Sequence, residues 1–195
     1  REGETETART GRGACAGSRG RDAARILYGE KRMKRGLPGA GHVYGLKTNK
    51  CIAILQLAEE PDSPTSLQQT RICDGFLNGD YTDGDIARIV QRKELFFLDT
   101  PLRILSPRSR LYREYFAFDT PLALPETVVL PKFQRGYTVL KDGTVKWYKK
   151  RRGSNYRAFV AELTPDFLEL SPDQCWSLPD LRGFLETGKT ISDYR

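Results

Sequence analysis

Residues 137–163, Tyr-Thr-Val-Leu-Lys-Asp-Gly-Thr-Val-Lys-Trp-Tyr-Lys-Lys-Arg-Arg-Gly-Ser-Asn-Tyr-Arg-Ala-Phe-Val-Ala-Glu-Leu, read as a β-hairpin followed by a third strand. Asp142-Gly143 suits a two-residue type I′ turn, which requires positive φ at both central positions. On the outgoing strand Lys146, Lys149, Lys150, Arg151 and Arg152 surround Trp147 and Tyr148. Adjacent residues on a strand point to opposite faces, so one of the two aromatics is expected to enter the core. The other covers a neighbouring strand or offers a stacking surface. Cations on an exposed strand also serve to block edge-to-edge pairing. This run is longer than that purpose needs, and its aromatics add base stacking to phosphate neutralisation. The stretch therefore points to a polyanion, RNA, rather than to a reaction.

Upstream of the hairpin the chain carries several short apolar runs. Val43–Leu46 and Cys51–Leu57 have strand length, and Ile52 and Ile54 favour β. Residues 59–69, with Pro61 and Pro64, read as a surface loop. Thr82-Asp-Gly-Asp85 is expected to cap a helix whose Ile86, Ile89 and Val90 share one face. Leu95–Leu98, Leu102–Leu105 and Val128–Leu130 read as further strands. Phe97-Leu-Asp-Thr-Pro-Leu102 recurs in looser form as Ala117-Phe-Asp-Thr-Pro-Leu122. Asp-Thr-Pro is a turn-forming tripeptide, and two copies are too few for a solenoid. They are read as two similar corners of one antiparallel sheet. Between them lie Arg103, Arg108, Arg110 and Arg113 with Tyr112 and Tyr115, a second basic-aromatic segment. Ser177-Leu-Pro-Asp180 opens a last helix with Leu181, Phe184 and Leu185 on one face and Gly188 behind it.

The chain has 195 residues, a formal charge of +7 and 38% apolar residues, enough for one domain with a real core. The charge is uneven. Residues 1–36 hold ten basic and five acidic groups. They are read as a basic, Arg/Gly-rich arm, with a short helix over 22–35 that ends in Lys31, Arg32, Lys34 and Arg35. The composition also suits a solvated terminus kept soluble by charge. Residues 37–195 are expected to form a single compact α+β domain: a mainly antiparallel sheet with two or three short helices. No apolar run reaches the roughly 18 residues that span a bilayer. The start of the chain has no apolar segment of the secretory kind, and the expected setting is intracellular, in a mitochondrion or another organelle.

The chemistry-bearing residues are sparse. Cys15, Cys51, Cys73 and Cys175 lack C-x-x-C spacing and His42 is the sole histidine, so neither zinc nor another cofactor is expected. There is no Walker loop, Rossmann glycine triplet or nucleophile elbow. His42 has no sequence-visible partner, and Glu162, Asp166 and Glu169 read as a solvent face. The expected function is a non-catalytic RNA-associated protein, an accessory subunit of a ribonucleoprotein such as an organellar ribosome. Its contacts are expected from Arg32, Lys34 and Arg35, from Arg108, Arg110 and Arg113, and from Lys146, Trp147, Tyr148, Lys149, Lys150, Arg151 and Arg152. The alternatives are a protein-binding subunit of a large complex, and a small enzyme or toxin acting on nucleotides or RNA.

Overall fold

The structure, a computed structural model, describes residues 38–60, 67–101, 105 and 109–193. The arm, with its expected helix, lies outside the described residues, as do Arg32, Lys34, Arg35 and Arg108.

The architecture is α+β and mainly antiparallel, with nine strands and four short helices among the described residues. The elements run β1 (His42–Lys47), β2 (Ile52–Leu57), β3 (Leu67–Leu77), α1 (Asp83–Val90), β4 (Glu94–Pro101), α2 (Arg110–Tyr115) and β5 (Phe116–Pro121). They continue as β6 (Phe133–Val139), β7 (Val145–Arg151), β8 (Arg157–Phe159), α3 (Pro165–Leu168), β9 (Ser171–Pro172) and α4 (Leu178–Glu186), with a 3₁₀ turn at Ile191–Asp193. The first five strands form one sheet in the order β4-β3-β2-β1-β5, and the last four a second in the order β8-β7-β6-β9.

Alternation along β1 and β2 explains why helices cover both faces of the larger sheet. Tyr44, Leu46, Leu55 and Leu57 join Ile72, Phe96 and Leu98 against Leu178 and Leu181 of α4. Val43, Ile54 and Cys73 turn the other way and pack on Ile86, Ile89 and Val90 of α1. Each such side chain contributes roughly 1.5–3 kcal/mol when fully buried. α1 starts as expected: the Thr82 hydroxyl accepts from the Asp85 N–H at 3.3 Å while Asp85 Oδ2 accepts from the Thr82 N–H at 2.9 Å. Thr82→Ala is expected to cost about 1 kcal/mol, read as a lower urea midpoint with an unchanged m-value. α4 is capped by Ser177, whose hydroxyl accepts from the Asp180 N–H at 3.3 Å, and Gly188 follows its end with φ +67°.

Three expectations need correction. Residues 67–69 are not loop but the start of β3, where Gln68, Gln69, Thr70 and Arg71 are all buried. Polar residues hid this strand, because its burial is supported by hydrogen bonds rather than by apolar alternation. Arg71 illustrates the point: its guanidinium donates to the carbonyls of Val90 and Arg92, where α1 ends and its last C=O groups need donors. Val128–Leu130 has no strand. The hairpin turn also differs. Gly143 has φ +83° but no non-glycine residue has positive φ. The Gly143 N–H reaches Leu140 O at 3.0 Å and the Leu140 N–H reaches Thr144 O at 2.8 Å. This is a three-residue loop in which a type I turn is followed by a left-handed glycine.

The repeated Asp-Thr-Pro tripeptides end β4 and β5, the two outer strands of the larger sheet. The two sheets are stitched where the chain passes through β9. The Phe97 N–H donates to Ser171 Oγ at 3.1 Å, and Asp99 and Cys175 form a parallel bridge. No helix among the described residues is long and apolar enough to cross a membrane.

Candidate nucleic-acid interface

The β6–β7 ladder pairs Phe133 with Arg151, Gln134 with Lys150 and Arg135 with Lys149, and the Arg152 N–H extends it to Lys132 O at 3.0 Å. The ladder end farthest from the turn therefore gathers Lys132, Lys149, Lys150, Arg151 and Arg152. It opens on a pocket of about 690 Å³ at the seam of the two sheets. One wall carries Glu59, Leu67 and Asp99 of the larger sheet region. The other carries Lys132, Phe133, Gln134 and the 150–153 segment.

The cations divide into two sets. Lys150 donates to Asp173 Oδ1 at 2.7 Å, and Arg152 pairs with Glu59. The first pair lies within the smaller sheet; the second reaches across the seam to the larger sheet region. Among the described residues, Lys132, Lys146 and Arg151 have no ion-pair partner, and Lys149 lies 4.3 Å above the Phe133 ring in a cation–π contact. The unneutralised charge is thus on Lys132, Lys146, Lys149 and Arg151.

Tyr148 is the aromatic that turns inward. It is buried, it donates to Asp173 Oδ2 at 3.0 Å, and burial first, then this hydrogen bond, pushes its hydroxyl pKa up. Gly136 makes room for the ring across the ladder; a Cβ there would sit 2.5 Å from the tyrosine oxygen. Trp147 is half-buried, packed on Tyr137 and Phe167 with the Arg135 guanidinium 5.5 Å from its ring centre. It covers a neighbouring strand. Phe133 is the aromatic at the pocket, with 39% of its surface exposed.

The acidic side of the pocket was not visible in the sequence. Asp99 accepts a hydrogen bond from Gln69. Burial is the main reason its carboxyl is held above the usual aspartate range; the Gln69 and Gln134 amides oppose the shift, the Asp173 charge adds to it and Arg152 counters it. Gln134 is 2% exposed, and its amide faces the Asp99 carboxylate.

Arg110 and Arg113 belong to α2, away from the residues that line this pocket. His42 does have a partner, 77 positions along the chain: its Nε2 lies 2.9 Å from Asp119 Oδ2, and Tyr112 donates to the other carboxylate oxygen. The remaining ring nitrogen, Nδ1, is enclosed and unpartnered among the described residues. The contact ties β5 to β1 and leaves no imidazole nitrogen open to a ligand. Arg135 is likewise structural, donating to the Leu170 and Ile191 carbonyls, while Glu162, Asp166 and Glu169 are exposed. Among the described residues no group of three or more His, Cys, Asp or Glu is placed to hold a metal ion.

No family model matches the chain, and no curated protein or solved structure matches it significantly.

Proposed function

We propose that the protein is a non-catalytic RNA-binding protein that serves as an accessory subunit of a ribonucleoprotein, holding the phosphate backbone at the end of the β6–β7 ladder. The observation that carries this reading is the pairing pattern of the basic run. Glu59 and Asp173 neutralise Arg152 and Lys150, yet Lys132 and Arg151 at the open pocket, and Lys149 near them on the ladder, remain uncompensated by acid. Cations left without internal partners retain their full attraction for phosphate, and their counterions are released on binding. The ten basic groups of residues 1–36 supply further charge for the same kind of interaction. A mitochondrion or similar organelle is the compartment proposed with this role.

The test replaces Lys132, Lys149 and Arg151 with Ala and titrates a single-stranded RNA at several salt concentrations. These three are chosen because Lys150 and Arg152 are already paired with Asp173 and Glu59. The expected result is weaker binding and a log K against log[salt] slope shallower by about 0.7 for each phosphate no longer neutralised. An unchanged slope in a variant with an unchanged thermal transition removes the reading.

A further inference from the structure

A second group of cations stands apart from the pocket, on α2 and the end of β1. Two tyrosines anchor α2: Tyr115 is buried, and Tyr112 packs on Tyr44 and Phe116. Arg110 and Arg113, one helical turn apart, are left exposed. The Lys47 ammonium joins them, donating to Arg113 O at 3.2 Å, and the Arg182 guanidinium of α4 lies 4.9 Å from the centre of the Tyr115 ring. Among the described residues Lys47, Arg110 and Arg113 have no ion-pair partner, whereas Arg182 has Glu186 at 3.9 Å. Glu114 shares the helix but pairs with none of them.

Strand register fixes where this group lies. Leu57, Leu67 and Pro101 come to one end of the larger sheet, the end where Glu59, Leu67 and Asp99 line the pocket. At the other end Lys47 pairs with Ile52, and Leu46 with Phe116. β5 is also an outer strand, separated from β3 by β2 and β1. The two cationic surfaces thus occupy diagonally opposite corners, roughly 25 Å apart by the usual strand rise and spacing. α4 runs between them. It starts beside the Asp99–Cys175 bridge and ends where Glu186 accepts from the Asn49 N–H at 2.7 Å. Its carboxylates, Asp180 and Glu186, interrupt that path; Asp119 of β5 and Glu126 beyond it do so along the outer edge.

We infer that α2 and the end of β1 form a second RNA-phosphate surface, so that one chain holds two RNA segments at once, one at each corner. The inference rests on the RNA-binding reading and extends it. Cations without internal acids attract phosphate at either corner, through the same release of counterions. The carboxylates between the corners repel phosphate and keep one strand from running continuously from the first surface to the second. The protein is then a brace between two RNA segments rather than a clamp on one.

The experiment mixes the full chain, at low salt, with two single-stranded tetranucleotides, one carrying a donor fluorophore and the other an acceptor, each too short to span the two corners. Protein-dependent energy transfer is expected with the wild type. Arg110→Ala/Arg113→Ala is expected to abolish the transfer while the donor-labelled RNA still binds. Lys47 is left in place because its ammonium also holds a carbonyl of α2. Arg110→Lys/Arg113→Lys keeps both charges and is expected to keep the transfer, which separates the charges from any effect on the helix. Transfer that survives the alanine pair overturns the inference, since the second RNA then lies elsewhere on the chain. Loss in the lysine pair as well overturns it, because charge is then not what binds. So does a wild type that binds the donor-labelled RNA without transfer. In each case, binding that weakens in the Lys132, Lys149 and Arg151 variant leaves the RNA-binding reading standing. A wild type that binds no RNA removes both.

Discussion

Gly41→Ala is expected to lower folding stability by about 4 kcal/mol or more, at the extreme of single substitutions. Gly41 precedes β1 with φ +90°, and a Cβ on it would lie 2.0 Å from the Leu122 carbonyl oxygen and 2.8 Å from the Leu124 nitrogen. Both are backbone atoms, so no side chain can swing aside. Moving the 122–124 segment also breaks the clamp formed by the buried Gln56, whose Nε2 donates to Gly41 O at 2.9 Å and Ala123 O at 3.2 Å. Gly79→Ala provides the comparison. Gly79 has φ +57° but nothing within 4 Å of its added Cβ, so only the torsional cost of roughly 1 kcal/mol is expected. Denaturant unfolding of the two variants separates the clash from the torsion. Similar losses in both would show that the 122–124 segment yields freely.

The second large effect is expected at Arg71. Methionine keeps most of the apolar stem but none of the donors. The carbonyls of Val90 and Arg92 are then left without this donor in the interior, a cost of about 3 kcal/mol for the pair. The destabilisation is expected to concentrate at the C-terminal turn of α1, so amide exchange there rises more than in β1 or β2. A variant as stable as the wild type would mean that water reaches those carbonyls.

What could be read from the chain follows from how far each signal extends along it. Helix α1 was legible because its cap, first turn and apolar face all fall within nine residues, Thr82 to Val90. β1 and β2 were legible as short apolar runs. β3, the longest strand, was not, because Gln68 to Arg71 are polar and owe their burial to partners such as Asp99 and the end of α1. The candidate site divides in the same way. The basic run at 149–152 is contiguous and stands out. The acids that select among its members, Glu59 and Asp173, are contributed 93 and 23 positions away from Arg152 and Lys150. No local pattern could show that Lys150 and Arg152 are internally paired while Lys132 and Arg151 are not. Phe133 gave no signal either, since a lone Phe at the start of a strand is ordinary core material until its exposure is known.

The two Asp-Thr-Pro tripeptides have a bearing on how this protein behaves in a crowd. Each closes one outer strand of the larger sheet, and neither Pro101 nor Pro121 has an N–H to offer an arriving strand. The smaller sheet ends at β8, only three residues long and opening on the Arg157 charge. Short, proline-ended or charged margins are poor templates for a neighbouring chain. Copies brought close together would thus stand side by side without fusing into a continuous sheet.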